Sequence, residues 1–443
     1  MSAKIAASLI GQRRFWPMLA AQSFGAFNDN LFRFSLISLA TYSTLTLFGR
    51  GEELMNPVAA SAFTIAMFLF SAIAGRAADK FDRTRILRFT KFAEIWLMSL
   101  AAIGFFLQSG PLLVVTLFFM GMQSAFFAPT KNAALPNLLD DHELVPGNAI
   151  LSGALNMSIL LGIVVGTLLA GSHQGGMIVG GVLVIMAIIG WISIRQLPLL
   201  PAAKPDMKMS WNVVMETFRV LRFAGEHPRV LRPLLGVAWF WLLGAAIIFS
   251  VMPTFTSSVL GGDQTVLSLF NASFTIGGAL GAILCGTLSG RGNALIFSVI
   301  GAIGLVIFPV DLALSTMNRP VLPEDTELMG INAFLAEPGN IRILVDLVMS
   351  AVSAGLFVVP LQAMAQRRSP QELRGRLLSV GSILNAGAAT IGNFMLAAVL
   401  ALALPIPAAF LVVAIISAAI AAYTFYWHRR IQREGADQTP SPS

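Results

Sequence analysis

The sequence predicts an all-α polytopic membrane protein whose twelve transmembrane helices form two six-helix halves. The 443 residues are 56% hydrophobic and only 12% charged, and the mean hydropathy is +0.77. Soluble domains carry about a quarter charged residues, so a chain this poor in charge has too few polar residues to cover a globule in water. Apolar blocks also recur along the whole chain. These observations exclude a soluble enzyme.

Each predicted helix is a block of about 20 predominantly apolar residues, the length that spans a bilayer. Polar, glycine or proline breaks separate the blocks. In chain order they cover approximately 15–48, 58–78, 86–107, 111–133, 148–170, 177–197, 231–260, 266–288, 294–314, 341–365, 377–402 and 406–427. The first block is too long for a signal-peptide core and carries Asp29 and Arg33, so it is predicted to remain as a helix.

The distribution of basic residues predicts the orientation. Of the 29 Lys and Arg residues, Arg50, Arg319 and Arg342 fall in segments on one side, Arg33 lies within a span, and all the others fall on the side of the termini. Because cytoplasmic loops retain Lys and Arg, both termini are predicted to be cytoplasmic. This topology predicts an integral membrane protein.

Four regions follow from this topology. Residues 1–197 form the N-terminal six-helix bundle, 198–230 a cytoplasmic linker, 231–428 the C-terminal six-helix bundle and 429–443 a cytoplasmic tail. In the linker, Trp211, Val214, Phe218 and Leu221 recur at spacings of three and four. That pattern predicts an amphipathic helix on the membrane surface that ties the two halves together.

Several function classes have no support in the sequence. The single cysteine, Cys285, excludes disulfides within the chain, and the four histidines do not form pairs at metal-ligand spacing. No nucleophile–base arrangement or phosphate-binding loop is present, and no loop is long enough to form a basic nucleic-acid-binding face. We therefore expect neither enzymatic activity nor a metal, a cofactor or a nucleic-acid partner.

Charged residues inside the first span are the principal candidates for a substrate site. Asp29 lies near mid-membrane and Arg33 follows one turn later on the same face, flanked by Asn28 and Asn30. An ionisable group within a span costs roughly 2.5–3.5 kcal/mol, so such groups are functional candidates by default. We expect these residues to face a water-filled central cavity; the alternative is a buried ion pair that serves packing alone.

Further polar residues within spans are added to the predicted substrate site. Glu94 lies two turns into the third span, where a carboxylate reaching the inner interface is the alternative. Lys131 lies near the cytoplasmic end of the fourth span, where a lysine that only sets topology is the alternative. Asn156 and Gln362 are included, although polar residues of this kind more often bond neighbouring helices.

The loop after the second span carries a recognisable motif. Residues 75–85 read Gly-Arg-Ala-Ala-Asp-Lys-Phe-Asp-Arg-Thr-Arg, and this resembles the loop signature of the major facilitator superfamily. After the eighth span, residues 286–291 keep the glycine and arginine but lack the acid. The resemblance implies the major facilitator fold with a cytoplasmic gate formed by Gly75, Asp79 and Arg83; a solvated basic loop is the alternative.

Other segments narrow the resemblance. Five segments resemble the lysophospholipid transporter family of that superfamily. They are 26–30 (Ala-Phe-Asn-Asp-Asn), 123–136 (Gln-Ser-Ala-Phe-Phe-Ala-Pro-Thr-Lys-Asn-Ala-Ala-Leu-Pro), 142–149 (His-Glu-Leu-Val-Pro-Gly-Asn-Ala) and, more loosely, 358–363 and 374–376. The family moves lysophosphatidylethanolamine and lysophosphatidylglycerol to the inner leaflet for reacylation. By this resemblance, Asp29 and Asn30 contact the headgroup and Lys131 contacts the phosphate.

Two departures from that family bear on the substrate. Family members carry an arginine midway along the seventh span, whereas residues 244–249 read Gly-Ala-Ala-Ile-Ile-Phe here, so Arg33 is expected to supply the missing cation. The sequence has no acyltransferase segment, so reacylation is expected to involve a separate acyltransferase. Glycine pairs at 162/166 and 277/281 are expected to suit sliding contacts between the halves.

The sequence leaves two other functions open. The first is a proton-coupled efflux pump for amphiphilic drugs or metabolites, in which Asp29 or Glu94 binds the proton. The second is a membrane scaffold that delivers lipid to an acyltransferase without transporting it. Charges within one turn of a membrane helix favour transport over scaffolding.

Overall fold

The computed structural model describes residues 9, 11–42, 45–172, 174–202, 204–207, 209–288, 295–319, 327–369, 374–401 and 405–436. In this part of the chain the regular structure consists of fourteen helices. They are α1 (Trp16–Tyr42), α2 (Glu52–Lys80), α3 (Arg83–Phe106), α4 (Gly110–Leu138), α5 (Asp141–Ala170), α6 (Gly175–Arg195), α7 (Val213–Gly225), α8 (Pro228–Val259), α9 (Gln264–Leu288), α10 (Leu295–Thr316), α11 (Ile331–Ala336), α12 (Pro338–Arg368), α13 (Arg374–Ala401) and α14 (Ala408–Ala436).

Twelve of these helices are long, and α7 and α11 are the short ones. Among the described residues, ten of the long helices are apolar enough over their length to cross a membrane. The long helices outside that set are α1, which carries Asp29 and Arg33, and α13. The result is the predicted twelve-helix membrane fold, in which the start of α1 and the end of α14 lie at one face of the bundle, here called the terminal face.

The two halves have separate hydrophobic cores. In the first half, α1 packs on α5, α2 on α4, and α3 on α6. One apolar cluster joins these helices through residues such as Phe32 and Phe105, whose rings meet edge-to-face at 5.4 Å. In the second half, α12 packs on α9 and α10, and α8 packs on α13. A second cluster there includes Phe255 and Phe410.

The halves meet at the face opposite the termini and along α2 and α13. The Tyr42 hydroxyl donates to the Gly262 and Asp263 carbonyl oxygens at 3.2 and 3.3 Å. The Tyr42 ring belongs to the first half but packs against the apolar core of the second. Deeper in the bundle, the Thr64 and Thr390 hydroxyls lie 2.7 Å apart. These contacts hold the halves together at the face opposite the termini.

The first span is shorter than the sequence predicts. Helix α1 ends at Tyr42 rather than near residue 48, because residues 47–50 form a tight turn in which the Leu47 N–H donates to the Arg50 carbonyl at 2.8 Å. Phe48 and Gly49 have φ values of 52° and 77°, which no helix accommodates. Hydropathy alone did not reveal this turn because its residues are largely apolar.

The prediction that the glycine pairs serve sliding contacts between the halves is wrong. A Cβ on Gly162 would lie 2.5 Å from the Phe27 carbonyl, so this glycine allows α1 and α5 to pack closely within the first half. Gly277 faces Ala351 and the Val348 carbonyl of α12 in the second half. Parts of other predictions lie outside the described residues. They include 1–8 and 43–44 of the N-terminal bundle, 203 and 208 of the linker, 289–291 of the second loop motif, 402–404 of the C-terminal bundle and 437–443 of the tail.

Candidate functional site

The candidate site is built on the middle of α1. Asp29 is half-buried, and its Oδ2 accepts a hydrogen bond from the Ser124 hydroxyl of α4 at 3.0 Å. Arg33 lies one turn further along the same helix. Among the described residues, no salt bridge joins Asp29 to Arg33 or to any other cation. The alternative of a buried Asp29–Arg33 ion pair is therefore not what the structure contains.

Arg33 lies where the two halves meet. Its guanidinium carbon is 4.1 Å from the centre of the Phe63 ring on α2 and 5.0 Å from the centre of the Phe249 ring on α8. Its Nε is buried without a hydrogen-bond partner. In the part of the chain that the structure describes, this cation therefore has aromatic faces beside it and no anion. A guanidinium held in this way presents its remaining N–H groups to an anionic ligand.

The two asparagines beside Asp29 have different environments. Asn28 is fully buried and donates through Nδ2 to the Leu183 carbonyl at 3.1 Å and to Glu94 Oε1 at 3.4 Å. Its position is thus in the packed contact of α1 with α3 and α6 rather than on a cavity surface. Asn30 is half-buried and donates to the Ala26 carbonyl of its own helix at 2.8 Å.

Glu94 does not reach the interface, because it is buried with Lys91. Lys91 Nζ lies 2.6 Å from Glu94 Oε2 and 4.7 Å from the centre of the Phe127 ring. Lys91 was not among the predicted site residues, and its charge is buried inside the first half. Helix α1 passes close to Lys91 at Gly25. A Cβ atom on Gly25 would collide with Lys91 Nζ.

Polar side chains of α4 lie between this ion pair and Asp29. Gln123 Nε2 donates to Glu94 Oε2 at 3.3 Å and to the Thr90 carbonyl at 3.2 Å. Gln123 Oε1 lies 3.2 Å from the Ser124 hydroxyl, which contacts Asp29. Gln123 was not among the predicted site residues, although its place one residue before Ser124 in the middle of a membrane helix was a usable signal. The single Ser124 proton is donated either to Asp29 or to Gln123, and Ser124 lies within reach of both.

Lys131 lies in a separate pocket. Its Nζ donates to Gln22 Oε1 at 2.6 Å, and the pocket is also lined by polar residues Asn132, Asn148 and Ser152. Lys131 is seven residues beyond Ser124 on α4, and Gln22 is seven residues before Asp29 on α1. At 1.5 Å per residue this places the Lys131 pocket about 10 Å from Asp29, toward the terminal face. The structure therefore does not bring Lys131 and Asp29 to one point.

Asn156 and Gln362 also lie apart from the charged centre. Both side chains are exposed, Asn156 on α5 and Gln362 on α12. No hydrogen bond among the described residues connects either of them to Asp29 or Arg33. Their place in the substrate site stays a prediction.

The loop-motif residues have neighbours other than those expected. Arg83 Nη1 donates to Asn137 Oδ1 at 2.5 Å, and the Asp79 carbonyl accepts from the Lys204 N–H at 2.8 Å. Among the described residues, no salt bridge links Asp79 with Arg83. A Cβ on Gly75 would meet open space. Arg76 of the motif instead forms a salt bridge with Glu216, which ties α2 to α7 at 2.6 Å.

A bundle of two six-helix halves with a buried guanidinium, that of Arg33, where they meet is the architecture of a membrane transporter. The family model of the Major Facilitator Superfamily matches residues 7–321. The chain belongs to the Major Facilitator Superfamily.

Known proteins similar to this chain include bacterial lysophospholipid transporters. It is 26% identical over 363 residues to the lysophospholipid transporter LplT of Escherichia coli O1:K1 / APEC, with 80% of this chain and 81% of that protein covered. It is 23% identical over 355 residues to LplT of Enterobacter sp. (strain 638), with 79% of each chain covered. The resemblance inferred from the motifs is thus confirmed, and these relatives are transporters rather than enzymes.

Solved structures give the fold. The D-xylose-proton symporter superposes with a TM-score of 0.70 at 13% identity, covering 93% of this chain and 96% of that one. A bacterial homolog of the human lysosomal transporter Spinster, in an inward-facing and unoccupied conformation, superposes with a TM-score of 0.62 at 14% identity, covering 98% of this chain and 100% of that one. At these identities the likeness confirms the major facilitator fold alone.

Proposed function

We propose that this protein is a secondary transporter that flips lysophospholipids, lysophosphatidylethanolamine and lysophosphatidylglycerol, across the bacterial inner membrane by alternating access. The observation that carries the proposal is the pair of opposite charges on α1 that do not neutralise each other. Asp29 is held by the neutral Ser124, and Arg33 is held between Phe63 and Phe249. The similarity to transporters named for lysophospholipids supports the same substrate class.

A zwitterionic headgroup fits this arrangement. Phosphoethanolamine carries an ammonium and a phosphate separated by two carbons, and side chains one helical turn apart have Cβ atoms about 5–6 Å apart. Asp29 binds the ammonium, and the planar Arg33 guanidinium binds the phosphate through two parallel N–H donors. Because Arg33 stacks on Phe249, its charge lies beside the α8 stretch in which the related transporters are expected to carry an arginine.

The Lys131 pocket provides a second phosphate position along the path. It lies about 10 Å from Asp29, so one headgroup occupies the two places in succession rather than together. Its polar walls and its position toward the terminal face suit a headgroup that moves between the centre and that face. With both termini in the cytoplasm, this is the side at which inward transport releases the lipid.

An apolar cavity offers a place for the single acyl chain. It lies in the second half between α8, α9, α10, α12 and α14, and its walls include Ile247, Phe274 and Leu312. Ile247 is two residues from Phe249, so the cavity lies at about the depth of the proposed phosphate position, although side chains at this spacing face different sides of the helix. Each methylene buried there contributes about 0.8 kcal/mol, and the polar headgroup stays at the charged centre. Reacylation of the delivered lipid falls to a separate acyltransferase.

The test is uptake of headgroup-labelled lysophosphatidylethanolamine, lysophosphatidylglycerol and a diacyl phospholipid into vesicles containing the purified protein. Asp29→Asn removes the ammonium partner, so it is expected to abolish uptake of the ethanolamine lipid and to spare much of the glycerol lipid, which has no ammonium. Arg33→Gln is expected to abolish both, because both carry the phosphate. Lys131→Ala is expected to slow both equally.

Matched controls remove the same charges elsewhere. Asp206→Asn in the linker and Arg50→Gln in the turn after α1 change exposed residues and are expected to transport as the unaltered protein does. If the unaltered protein moves none of these lipids, the substrate proposal is wrong, and pH-dependent export of amphiphilic compounds becomes the function to test. If it moves the lyso forms but Asp29→Asn and Arg33→Gln do so equally well, the substrate stands and the site is wrong.

A further inference from the structure

Helix α7 in the linker has two faces of opposite character. Its start is fixed by Asn212, whose side chain accepts from the Met215 N–H at 2.9 Å. One face is buried and contains Glu216, Thr217 and Ala224. The other is exposed and apolar. We call it the α7 apolar face, and it consists of Trp211, just before the helix, with Val214, Met215 and Phe218.

The position of α7 puts this face at the depth where membrane helices leave the bilayer. Glu216 on the buried side contacts Arg76 near the end of α2. At the other end of α7, Ala224 packs with Val230 in the first turn of α8 and Val380 in the first turns of α13. All three neighbours lie at the terminal ends of spanning helices. An amphipathic helix at that depth buries its apolar face at the boundary between headgroups and acyl chains.

The charges around the α7 apolar face indicate which kind of membrane surface it would bind. Arg219 and Arg222 are both exposed beside it. The only carboxylate within Val213–Gly225 is Glu216, which is 1% exposed. Arg219 pairs with Glu216, and the exposed Glu226 follows the helix directly. Arg222 and the exposed part of Arg219 are therefore the cationic groups beside the apolar face. That combination is complementary to a leaflet of anionic phospholipids.

The buried face connects α7 to the loop motif. Glu216 Oε1 accepts from Arg76 Nη1 at 2.6 Å and from Arg219 Nη1 at 2.5 Å. The linker before α7 is bonded to the same region, because the Arg83 N–H donates to the Leu200 carbonyl at 3.0 Å. Separation of α7 from α2 would take Arg76 away from the buried Glu216 carboxylate and leave it with Arg219 alone. Because a buried charge that loses a partner is costly, this contact resists the separation.

We propose that the α7 apolar face docks on the anionic phospholipid surface of the membrane with the help of Arg219 and Arg222, and that Glu216 transmits this docking to Arg76 at the end of α2. A membrane-docked α7 holds the terminal end of α2 in place during transport. The anionic-lipid content of the leaflet then regulates how freely this end of the first half moves. This inference concerns a surface outside the substrate site and does not depend on which substrate is carried.

The docking test uses the full-length protein in nanodiscs. Because Cys285 is the single cysteine in the sequence, a Cys285→Ser, Phe218→Cys protein carries one environment-sensitive fluorophore on the apolar face. In discs that contain phosphatidylglycerol the emission is expected to shift to the blue and to be quenched by quenchers on the acyl chains. Arg219→Gln and Arg222→Gln are each expected to reduce the docked-to-undocked ratio about fivefold. The same fluorophore is also attached at Val214→Cys, in a protein that keeps the Phe218 ring. An equal blue shift there shows that loss of this ring does not cause the shift.

A matched control removes two arginines elsewhere on the terminal face. Arg13→Gln with Arg429→Gln has the same net charge as a variant that combines Arg219→Gln with Arg222→Gln, and it is expected to leave the shift unchanged. An equal shift in discs of phosphatidylcholine alone would overturn the anionic partner. A fluorophore that stays in water in every disc would overturn docking altogether. A shift that requires two protein copies per disc would assign the face to a second copy instead.

Transmission to α2 has its own readout, the mobility of a spin label at Lys80→Cys. We expect anionic lipid to reduce this mobility in the otherwise unaltered chain and to have no effect on it in Glu216→Gln, while the fluorophore at residue 218 still reports docking. The exchanged pair Arg76→Glu with Glu216→Arg is expected to restore the lipid effect. If the mobility of the spin label at residue 80 does not depend on lipid composition in the otherwise unaltered chain, the proposed transmission is wrong. Neither readout uses lysophospholipid, so failure of the substrate proposal would be seen separately.

Discussion

Lys91 Nζ lies 2.6 Å from Glu94 Oε2 on α3, and each of these side chains is only 2% exposed. Removing two charges from water costs several kcal/mol per ion, and their attraction compensates only when further hydrogen bonds complete the site. Asn28 and Gln123 provide those bonds to the Glu94 carboxylate. The pair therefore neutralises itself, and Asp29 and Arg33 remain as the uncompensated charges of α1.

The Lys91–Glu94 pair gives a prediction about stability. Lys91→Met leaves the Glu94 carboxylate buried without its cation and is expected to lower the free energy of unfolding by about 3–5 kcal/mol. Adding Glu94→Leu removes the stranded charge and is expected to recover much of that loss. Thermal unfolding of the purified variants in detergent measures both effects. A double variant whose loss equals the sum of the two single losses would contradict the coupling.

The aromatic contacts of Arg33 predict that lysine cannot replace it. A lysine ammonium retains the charge but cannot stack as a plane on Phe63 and Phe249 or bind a phosphate through two parallel donors. Arg33→Lys is expected to reduce lysophospholipid uptake about tenfold or more, equivalent to about 1.4 kcal/mol, with little change in thermal stability. Arg50→Lys is the control at an exposed site. Full activity of Arg33→Lys would mean that charge alone suffices.

Close packing of α9 on α12 predicts a difference between two nearby glycines. A Cβ on Gly281 would overlap the Val352 carbonyl oxygen, which belongs to a helix backbone and cannot move aside freely. On Gly278 the nearest atom would be the Ala351 carbonyl oxygen at 3.9 Å, an ordinary contact. Gly281→Ala is expected to cost about 1–3 kcal/mol of unfolding free energy, and Gly278→Ala little. Equal melting temperatures for the two variants would refute this packing.

Tyr42 predicts how firmly the face opposite the termini is closed. Tyr42→Phe keeps the ring in the core of the second half but loses the hydroxyl that bonds the Gly262 and Asp263 carbonyls. A hydrogen bond of this kind contributes about 1 kcal/mol, so the closed-to-open ratio is expected to fall about fivefold.

Closure at this face is measured by cross-linking Gly171→Cys to Gln264→Cys, positions that face each other across the halves, in a Cys285→Ser background. Tyr42→Phe is expected to reduce the yield. Tyr423→Phe, the same change at an exposed tyrosine of α14, is expected to leave it unchanged. An undiminished yield in Tyr42→Phe would show that apolar packing alone closes this face.

The membrane fold could be predicted from the sequence because each span must satisfy a local requirement. A helix that crosses a bilayer needs about 20 apolar residues, and its backbone hydrogen bonds are all made within the segment. Hydropathy therefore predicted the twelve helices, and the family model confirmed the superfamily that the loop motif indicated. The end of α1 was missed because the turn at Phe48 and Gly49 depends on backbone angles that apolar composition does not reveal.

The sequence by itself determined which charges lie in the membrane helices at Asp29, Arg33 and Glu94, because their spacing along a span is fixed by helix geometry. Only the tertiary structure decided their partners: Lys91 is buried against Glu94, and Arg33 meets Phe249 of the other half. The physical reason is that the neighbours of a side chain depend on how each helix is rotated and on which helix packs beside it. Those relationships join residues far apart in the chain, and no local pattern encodes them.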